Sequence, residues 1–169
     1  MLSQEKTELK TNNDGNRINY NSASTFSSTT YDAVSDLYKK LGLESSVNAY
    51  SFENATPFVS SLFSVRYILS LNELGESPVY ELADQSSGFY LYKNLYTLPL
   101  GYMIPSDTSD LWAYSSLNGA KSLNSLANII CENGSDILHS IPGTSSGKQV
   151  STTVTSYSHV YAYVDSASV

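Results

Sequence analysis

Four short apolar segments recur at a spacing of about ten residues in the middle of the chain, and few folds accommodate this rhythm. They occupy residues 65–70, 79–82, 89–93 and 98–104. Turn-forming residues separate them, including Gly88 before the third segment and Asn94 after it. Segments of this length and spacing are typical of an antiparallel meander, so the sequence predicts an antiparallel sheet of four or more strands.

Segments with helical periodicity flank these strands. Residues 31–41 carry apolar side chains at positions i, i+3, i+4 and i+7: Val34, Leu37, Tyr38 and Leu41. Pro57 favours a helix start for residues 57–63, because proline is tolerated in the first turn. Residues 122–132 form a third amphipathic segment, and residues 106–112 predict a capped helical turn. This pattern predicts an α+β fold with the helices packed on one face of the sheet.

The two ends of the chain give weaker patterns. Residues 16–20 predict a short strand, and residues 140–148 predict a loop because they are rich in Gly, Ser and Pro. Residues 152–155 and 160–164 predict two further strands.

The domain organisation follows from these patterns. Residues 1–15 are polar and end in turn-forming residues, so we expect a flexible tail or linker there. We expect residues 16–148 to form the α+β domain and residues 149–169 to be the start of a further β segment. We expect no signal peptide and no membrane-spanning segment, since a spanning helix needs about 20 apolar residues.

Charge and composition exclude several classes of function. The chain has 9 Lys and Arg against 16 Asp and Glu, a net charge of −7. A nucleic-acid-binding protein needs a basic surface, so we expect no nucleic-acid partner. One cysteine rules out an internal disulfide, and with two histidines it leaves little for a metal centre. We therefore expect no metal and no cofactor.

Two short patterns invite a chemical interpretation. Asp107 and Asp110 lie close to Trp112, whose ring can stack on a sugar; the competing interpretation is a capped helix with Trp112 in the core. Residues 143–148 resemble a phosphate-binding loop superficially. Only three residues separate Gly143 and Gly147, whereas that motif needs four, so we reject it.

Two stretches resemble a known family. The first is Ser64-Val65-Arg66-Tyr67-Ile68-Leu69-Ser70. The second is Gly88-Phe89-Tyr90-Leu91-Tyr92-Lys93-Asn94, followed by Leu98-Pro99-Leu100-Gly101-Tyr102-Met103. They resemble the extracytoplasmic part of bacterial YfhO-like membrane proteins, in which a "GVKYVLS"-like strand precedes "G-x-Y-x-Y-x-N" and "LP-x-G/A-[FY]" strands. Here Ser64 stands where the family usually has Gly, and Arg66 where it usually has Lys. The resemblance covers residues 16–104 and continues more loosely to the end.

The resemblance implies a function and a location. Members of the family span the membrane many times and resemble glycosyltransferases that use lipid-linked sugars. They are implicated in glycosylating cell-surface polymers such as lipoteichoic acid. No position here matches their catalytic carboxylate, so we assign no catalytic residue. The family also has a later "GW…DG" β segment, so residues 149–169 are expected to be the start of a truncated module.

These considerations predict a non-catalytic domain on the extracytoplasmic face of the bacterial membrane, which positions acceptor polymer or braces the enzyme. Its expected partners are the membrane-embedded remainder of the same polypeptide and a cell-surface glycan polymer. The candidate binding residues are aromatic: Tyr67, Tyr90, Tyr92, Tyr102 and Trp112. Two alternatives stay open, a stand-alone surface or secreted glycan-binding module and a hydrolase with an unrecognised Ser or carboxylate site.

Overall fold

A computed structural model describes residues 3–6, 11–112, 119–132, 134–147, 149–154 and 160–162. The helices are α1 Asp14–Ile18, α2 Asp32–Lys40, α3 Pro57–Leu62, α4 Thr108–Leu111 and α5 Gly119–Cys131. The strands are β1 Ser3–Lys6, β2 Thr25–Phe26, β3 Ala49–Tyr50, β4 Val65–Ser70, β5 Tyr80–Ser86, β6 Phe89–Asn94, β7 Gly143–Ser146 and β8 Gln149–Thr152. The predicted α+β class is confirmed.

The main sheet has the strand order β1-β4-β6-β5. Strand β6 pairs antiparallel with both β4 and β5, and Tyr92 lies opposite Ile68 on one side and Leu82 on the other. Strand β1 lies beside β4 in the parallel direction. The antiparallel part of the sheet therefore has three strands, where the sequence predicted four or more.

The predicted strand at residues 98–104 does not form. Both edges of β6 are already occupied, by β4 and by β5, so no neighbouring edge is open to the segment that follows β6. Its backbone bonds to α3 and to Ser64 instead: the Leu98 amide donates to the Ser61 carbonyl (3.4 Å), and the Ser64 hydroxyl donates to the Pro99 carbonyl (3.0 Å). Pro99 itself has no N–H to contribute to a strand ladder.

The core lies where α2, α3 and α5 meet the start of β4. Its buried side chains include Tyr38 of α2, Val59 of α3, Val65 of β4 and Leu123 of α5. The Ser122 hydroxyl donates to the Lys40 carbonyl (2.8 Å), which joins α5 to the end of α2. The helical periodicities predicted these helices correctly, with ends that differ by at most three residues.

The predicted strand at residues 16–20 is wrong, because this segment belongs to helix α1 and the turn after it. The Asp14 carboxylate accepts hydrogen bonds from the amide (3.2 Å) and the hydroxyl (3.0 Å) of Thr11, which folds the chain into a helical turn. Asn19 then adopts a left-handed conformation with φ 58° and ends the helix. Asparagine tolerates this conformation better than most residues.

Residues at the predicted domain limits also take part in pairing. Residues 3–6, within the expected tail, form β1. The expected loop at 140–148 contains β7, which pairs with β8 in a hairpin that turns at Gly147 with φ 59°. Residues 160–162 form no strand, and residues 155 and 163–164 of the two expected strands lie outside the described residues. The domain limits themselves stay a prediction.

Ser64 connects α3 to β4 in a conformation that suits glycine. Its φ is 56°, which costs a residue with a side chain roughly 1 kcal/mol. The hydroxyl offsets this cost through its bond to Pro99, since a net hydrogen bond contributes about 1 kcal/mol. Serine thus anchors residues 98–104 where glycine would only relieve strain.

We expect Ser64→Ala to lower the free energy of unfolding by about 1 kcal/mol, because alanine keeps the strain and loses the bond. Ser64→Gly should stay within about 0.5 kcal/mol of the original, since relief of strain offsets the lost bond. Urea denaturation measures both. Equal losses in the two variants would show that the strain is negligible.

Tyr80 opens β5 and is buried, with its hydroxyl bonded to Ser60 of α3. Burial raises the pKa of this phenol above its ordinary value of 10.0, although the bond to Ser60 acts in the opposite direction. The folded chain therefore holds this proton to a higher pH than the unfolded chain does.

Stability should consequently fall as the pH rises above about 10, in the window between the unfolded and the folded pKa of Tyr80. Below that window the folded and unfolded chains bind the same proton, so Tyr80 gives no slope. Tyr80→Phe should flatten the alkaline fall measured by urea denaturation at several pH values. Tyr31→Phe is the control, since Tyr31 is exposed. If Tyr31→Phe flattened the alkaline loss of stability equally, burial of Tyr80 would not be its cause.

Candidate functional site

A cleft of about 370 Å³ lies between residues 15–25 on one side and α2, Tyr50 and Phe63 on the other. Helix α2 forms one wall through Val34 and Leu37, and Gly15 to Thr25 form the other. The floor consists of aromatic rings.

Three rings form the floor of the cleft: Tyr38, Tyr50 and Phe63. Tyr38 contacts Tyr50 at a centroid distance of 4.5 Å and meets Phe63 edge-on at 5.5 Å, both normal for aromatic pairs. Tyr38 is buried, and its hydroxyl donates to the Ala23 carbonyl. Tyr50 and Phe63 are half-buried, so part of each ring faces the cleft.

Short polar contacts position the opposite wall. The Ser24 hydroxyl accepts from the Phe52 amide (2.8 Å), which fixes the wall to the segment after β3. The Asn13 side chain accepts from the Phe26 amide (2.8 Å) and donates to the Phe26 carbonyl (3.0 Å). At Gly15 a β-carbon would lie 2.6 Å from that of Ser22, so only glycine fits there. The wall is therefore held by the fold before any ligand arrives.

The cleft is polar without being charged. Every residue that lines it is Gly, Ala, Val, Leu, Phe, Tyr, Ser, Thr or Asn. The exposed Asn16 can offer an amide at the mouth, and Ser22 and Thr25 bring hydroxyls to the wall. Aromatic faces next to neutral donors and acceptors suit an uncharged polyhydroxylated ligand, because such a ligand has apolar faces and many hydroxyls.

The five predicted binding residues do not share a surface. Tyr90 and Tyr92 stack at 6.5 Å on one face of β6, as the alternation predicts. Tyr92 is buried, and its hydroxyl accepts from the Leu74 amide (2.9 Å), so its ring supports the fold. Tyr67 lies opposite Lys93 and thus on the other face of the sheet. Their role in binding stays a prediction.

Tyr102 and Trp112 also make structural contacts. The Tyr102 hydroxyl donates to the Leu62 carbonyl at the end of α3 (2.9 Å), and partial burial raises the pKa of this phenol. The Trp112 ring packs against the core, and its indole N–H donates to the Ser122 carbonyl (2.9 Å). This favours the core interpretation of Trp112. Asp107 and Asp110 beside it are exposed.

Metal ligation has no support in the described residues, where no group of three or more His, Cys, Asp or Glu side chains is placed to hold an ion. The same holds for the cleft, because its lining includes none of these residue types. What the cleft provides is stacking and neutral hydrogen bonding.

Sequence reasoning missed the cleft because its residues come from four separate segments. Tyr20 lies in the irregular segment after α1, Tyr38 in α2 and Tyr50 in the two-residue strand β3, so no local motif joins them. The one local signal is Gly15 within turn-forming residues, which marks a close approach of two backbone segments.

The fold and the cleft together define the class of protein, which is a small α+β domain with an uncharged cleft lined by aromatic rings. A match over residues 4–161, nearly the whole length, places the chain among bacterial membrane proteins. The matching family model is that of the bacterial membrane protein YfhO, and the chain belongs to this family. No curated protein and no solved structure matches the chain. Among the described helices, none has the length and apolar character needed to cross a bilayer.

Proposed function

We propose that this chain is a non-catalytic extracytoplasmic domain of a membrane protein that glycosylates cell-surface polymers such as lipoteichoic acid. Membership of the YfhO family supports an association with a membrane protein. The observation that carries the proposal is the uncharged cleft with its aromatic floor. In this role the cleft holds a sugar of the acceptor polymer while the membrane-embedded remainder of the polypeptide performs the transfer.

The lining of the cleft favours binding over catalysis. Glycosyl transfer needs a carboxylate or another group that moves a proton, and the cleft is lined by neutral side chains only. Stacking on Tyr50 and hydrogen bonds to Asn16 can orient a sugar without activating it. The domain therefore contributes to positioning.

Charge limits which part of the polymer the domain contacts. Lipoteichoic acid has a phosphodiester backbone, and this chain has a net charge of −7. Like charges repel, so the backbone is a poor ligand at low salt. A neutral sugar carried on that backbone is a better one, and the contact is expected to be weak and hydrated.

We expect Tyr50→Leu to weaken binding of neutral oligosaccharides by about 3- to 10-fold, because leucine keeps the apolar volume but removes the stacking ring. Tyr96→Leu, the same exchange at an exposed tyrosine outside the cleft, should leave binding unchanged. Isothermal titration calorimetry or NMR titration measures both. Equal affinities for Tyr50→Leu and the original chain would contradict a role for the cleft.

Salt gives an independent check on the nature of the ligand. Affinity for neutral oligosaccharides should stay constant between low and physiological ionic strength. Affinity for the anionic polymer should rise as salt screens the repulsion. An affinity that falls with salt would contradict the neutral-sugar mode, since it would require a positive binding surface.

The location can be tested through Cys131, the one cysteine of the chain, which is exposed at the end of α5. In intact cells that make the protein in its native context, a membrane-impermeant maleimide should label Cys131. Cys131→Ser should lose that labelling and so identifies the labelled site. Labelling that appears only after the membrane is permeabilised would place the domain in the cytoplasm and contradict the proposal.

The stand-alone glycan-binding module remains the alternative, because the same cleft would serve it. Fractionation of the native polypeptide distinguishes the two. A polypeptide that stays in the membrane fraction until detergent is added agrees with the proposed role, whereas release into the medium agrees with the alternative.

A further inference from the structure

Residues 95–104 form an apolar surface segment, Leu-Tyr-Thr-Leu-Pro-Leu-Gly-Tyr-Met-Ile, that follows β6. Leu100 is 78% exposed and Met103 is 98% exposed. Leu95, Tyr96 and Ile104 are also exposed. These residues are concentrated in one short segment, whereas exposed apolar residues on most proteins are scattered singly. Such a concentration marks a candidate interaction site.

The backbone of this segment is held in place, so the exposure is built into the fold. The Leu95 amide donates to the Val79 carbonyl (3.0 Å), and the Tyr96 amide donates to the Asn94 side chain (3.0 Å). Three hydrogen bonds described above fix the remainder of the segment. Leu98 and Tyr102 donate to carbonyls of α3, and the Ser64 hydroxyl donates to the Pro99 carbonyl. Several polar groups are thereby satisfied within the protein, as a segment at an apolar boundary requires.

The residue types favour lipid as the occupant. From Asn94 to Ser106 the sequence has no charged residue, so nothing in the segment opposes entry into an apolar phase. Leu100 and Met103 are apolar, and Tyr96 and Tyr102 carry the aromatic ring with a polar hydroxyl that is enriched at the boundary between lipid headgroups and hydrocarbon. The family to which the chain belongs consists of membrane proteins, which supplies a bilayer as the neighbouring surface.

We propose that residues 95–104 dock the chain on the surface of a lipid bilayer, with Leu100 and Met103 inserted at the headgroup boundary. The attraction is apolar, since the chain has net charge −7 and exposed Asp107 and Asp110 follow the segment. Zwitterionic lipid is therefore preferred over anionic lipid. The strength is that of a weak reversible anchor, roughly that of one acyl chain with a partition constant of about 10⁴ M⁻¹.

The test is co-sedimentation of the purified 169-residue chain with protein-free phosphatidylcholine vesicles. The chain should sediment with these vesicles, and less with vesicles of equal parts phosphatidylcholine and phosphatidylglycerol. The double variant Leu100→Ser, Met103→Ser should have a partition constant at least about tenfold lower, because two inserted side chains are lost. Val47→Ser is the matched control, since Val47 is 77% exposed elsewhere on the chain, and it should have little effect.

A spectroscopic variant tests insertion directly. In Met103→Trp the new indole should shift its emission to shorter wavelength when vesicles are added, whereas Trp112 of the original chain should not. Urea denaturation establishes that each variant is folded before binding is compared.

Several outcomes overturn the proposal. These are no sedimentation with vesicles, equal sedimentation of the double variant, or an unshifted Met103→Trp spectrum. A dimer in analytical ultracentrifugation that the double variant abolishes would assign the segment to a second copy of the chain. Capture by the membrane-embedded polypeptide in detergent, without binding to protein-free vesicles, would assign it to that protein.

Discussion

The contacts of Tyr38 hold together the elements on which the rest of the structure depends. Its ring lies against Tyr50 and Phe63, and its hydroxyl bonds to Ala23. One buried side chain of α2 thus joins β3, the residue after α3 and the wall of the cleft. Because an aromatic side chain buries a large apolar area, it can stabilise four segments at once, provided its hydroxyl finds a partner. The cleft exists because these segments meet at one ring without filling the space above it.

The sequence predicted those elements whose periodicity alone determines the buried face. Helix α2, helix α3 and strand β4 lie where the patterns placed them, because each contributes a buried side chain, Tyr38, Val59 or Val65, to one core. Prediction failed where the neighbours of a segment decide its structure. Residues 98–104 have apolar residues suited to a strand, but β5 already occupies the free edge of β6. Residues 16–20 became part of a helical turn through the Asp14 side chain, which a pattern of apolar residues does not register.

The candidate site was harder to predict than the fold for a related reason. Alternation along β6 correctly placed Tyr90 and Tyr92 on one face, but it cannot say that other residues cover Tyr92. Tyr67 falls on the opposite face because the register pairs it with Lys93, and register is a property of two strands. The cleft residues come from separate segments, and only their tertiary arrangement gives them a common function.

Helix α3 connects the cleft to the apolar segment, and this connection gives the two proposals a common geometry. Phe63, directly after α3, lines the cleft, while Ser61 and Leu62 accept the hydrogen bonds that hold residues 98–102. Ser64, in its left-handed conformation, turns the chain into β4 directly after these contacts and adds its own bond to Pro99. If residues 95–104 lie on a bilayer, a short path connects that surface to the cleft: hydrogen bonds join residues 98 and 102 to Ser61 and Leu62, and Phe63 in the floor of the cleft is the next residue along the chain. Taken together, the two proposals would place a sugar bound in the cleft on the side of the domain that is connected to the membrane surface through α3.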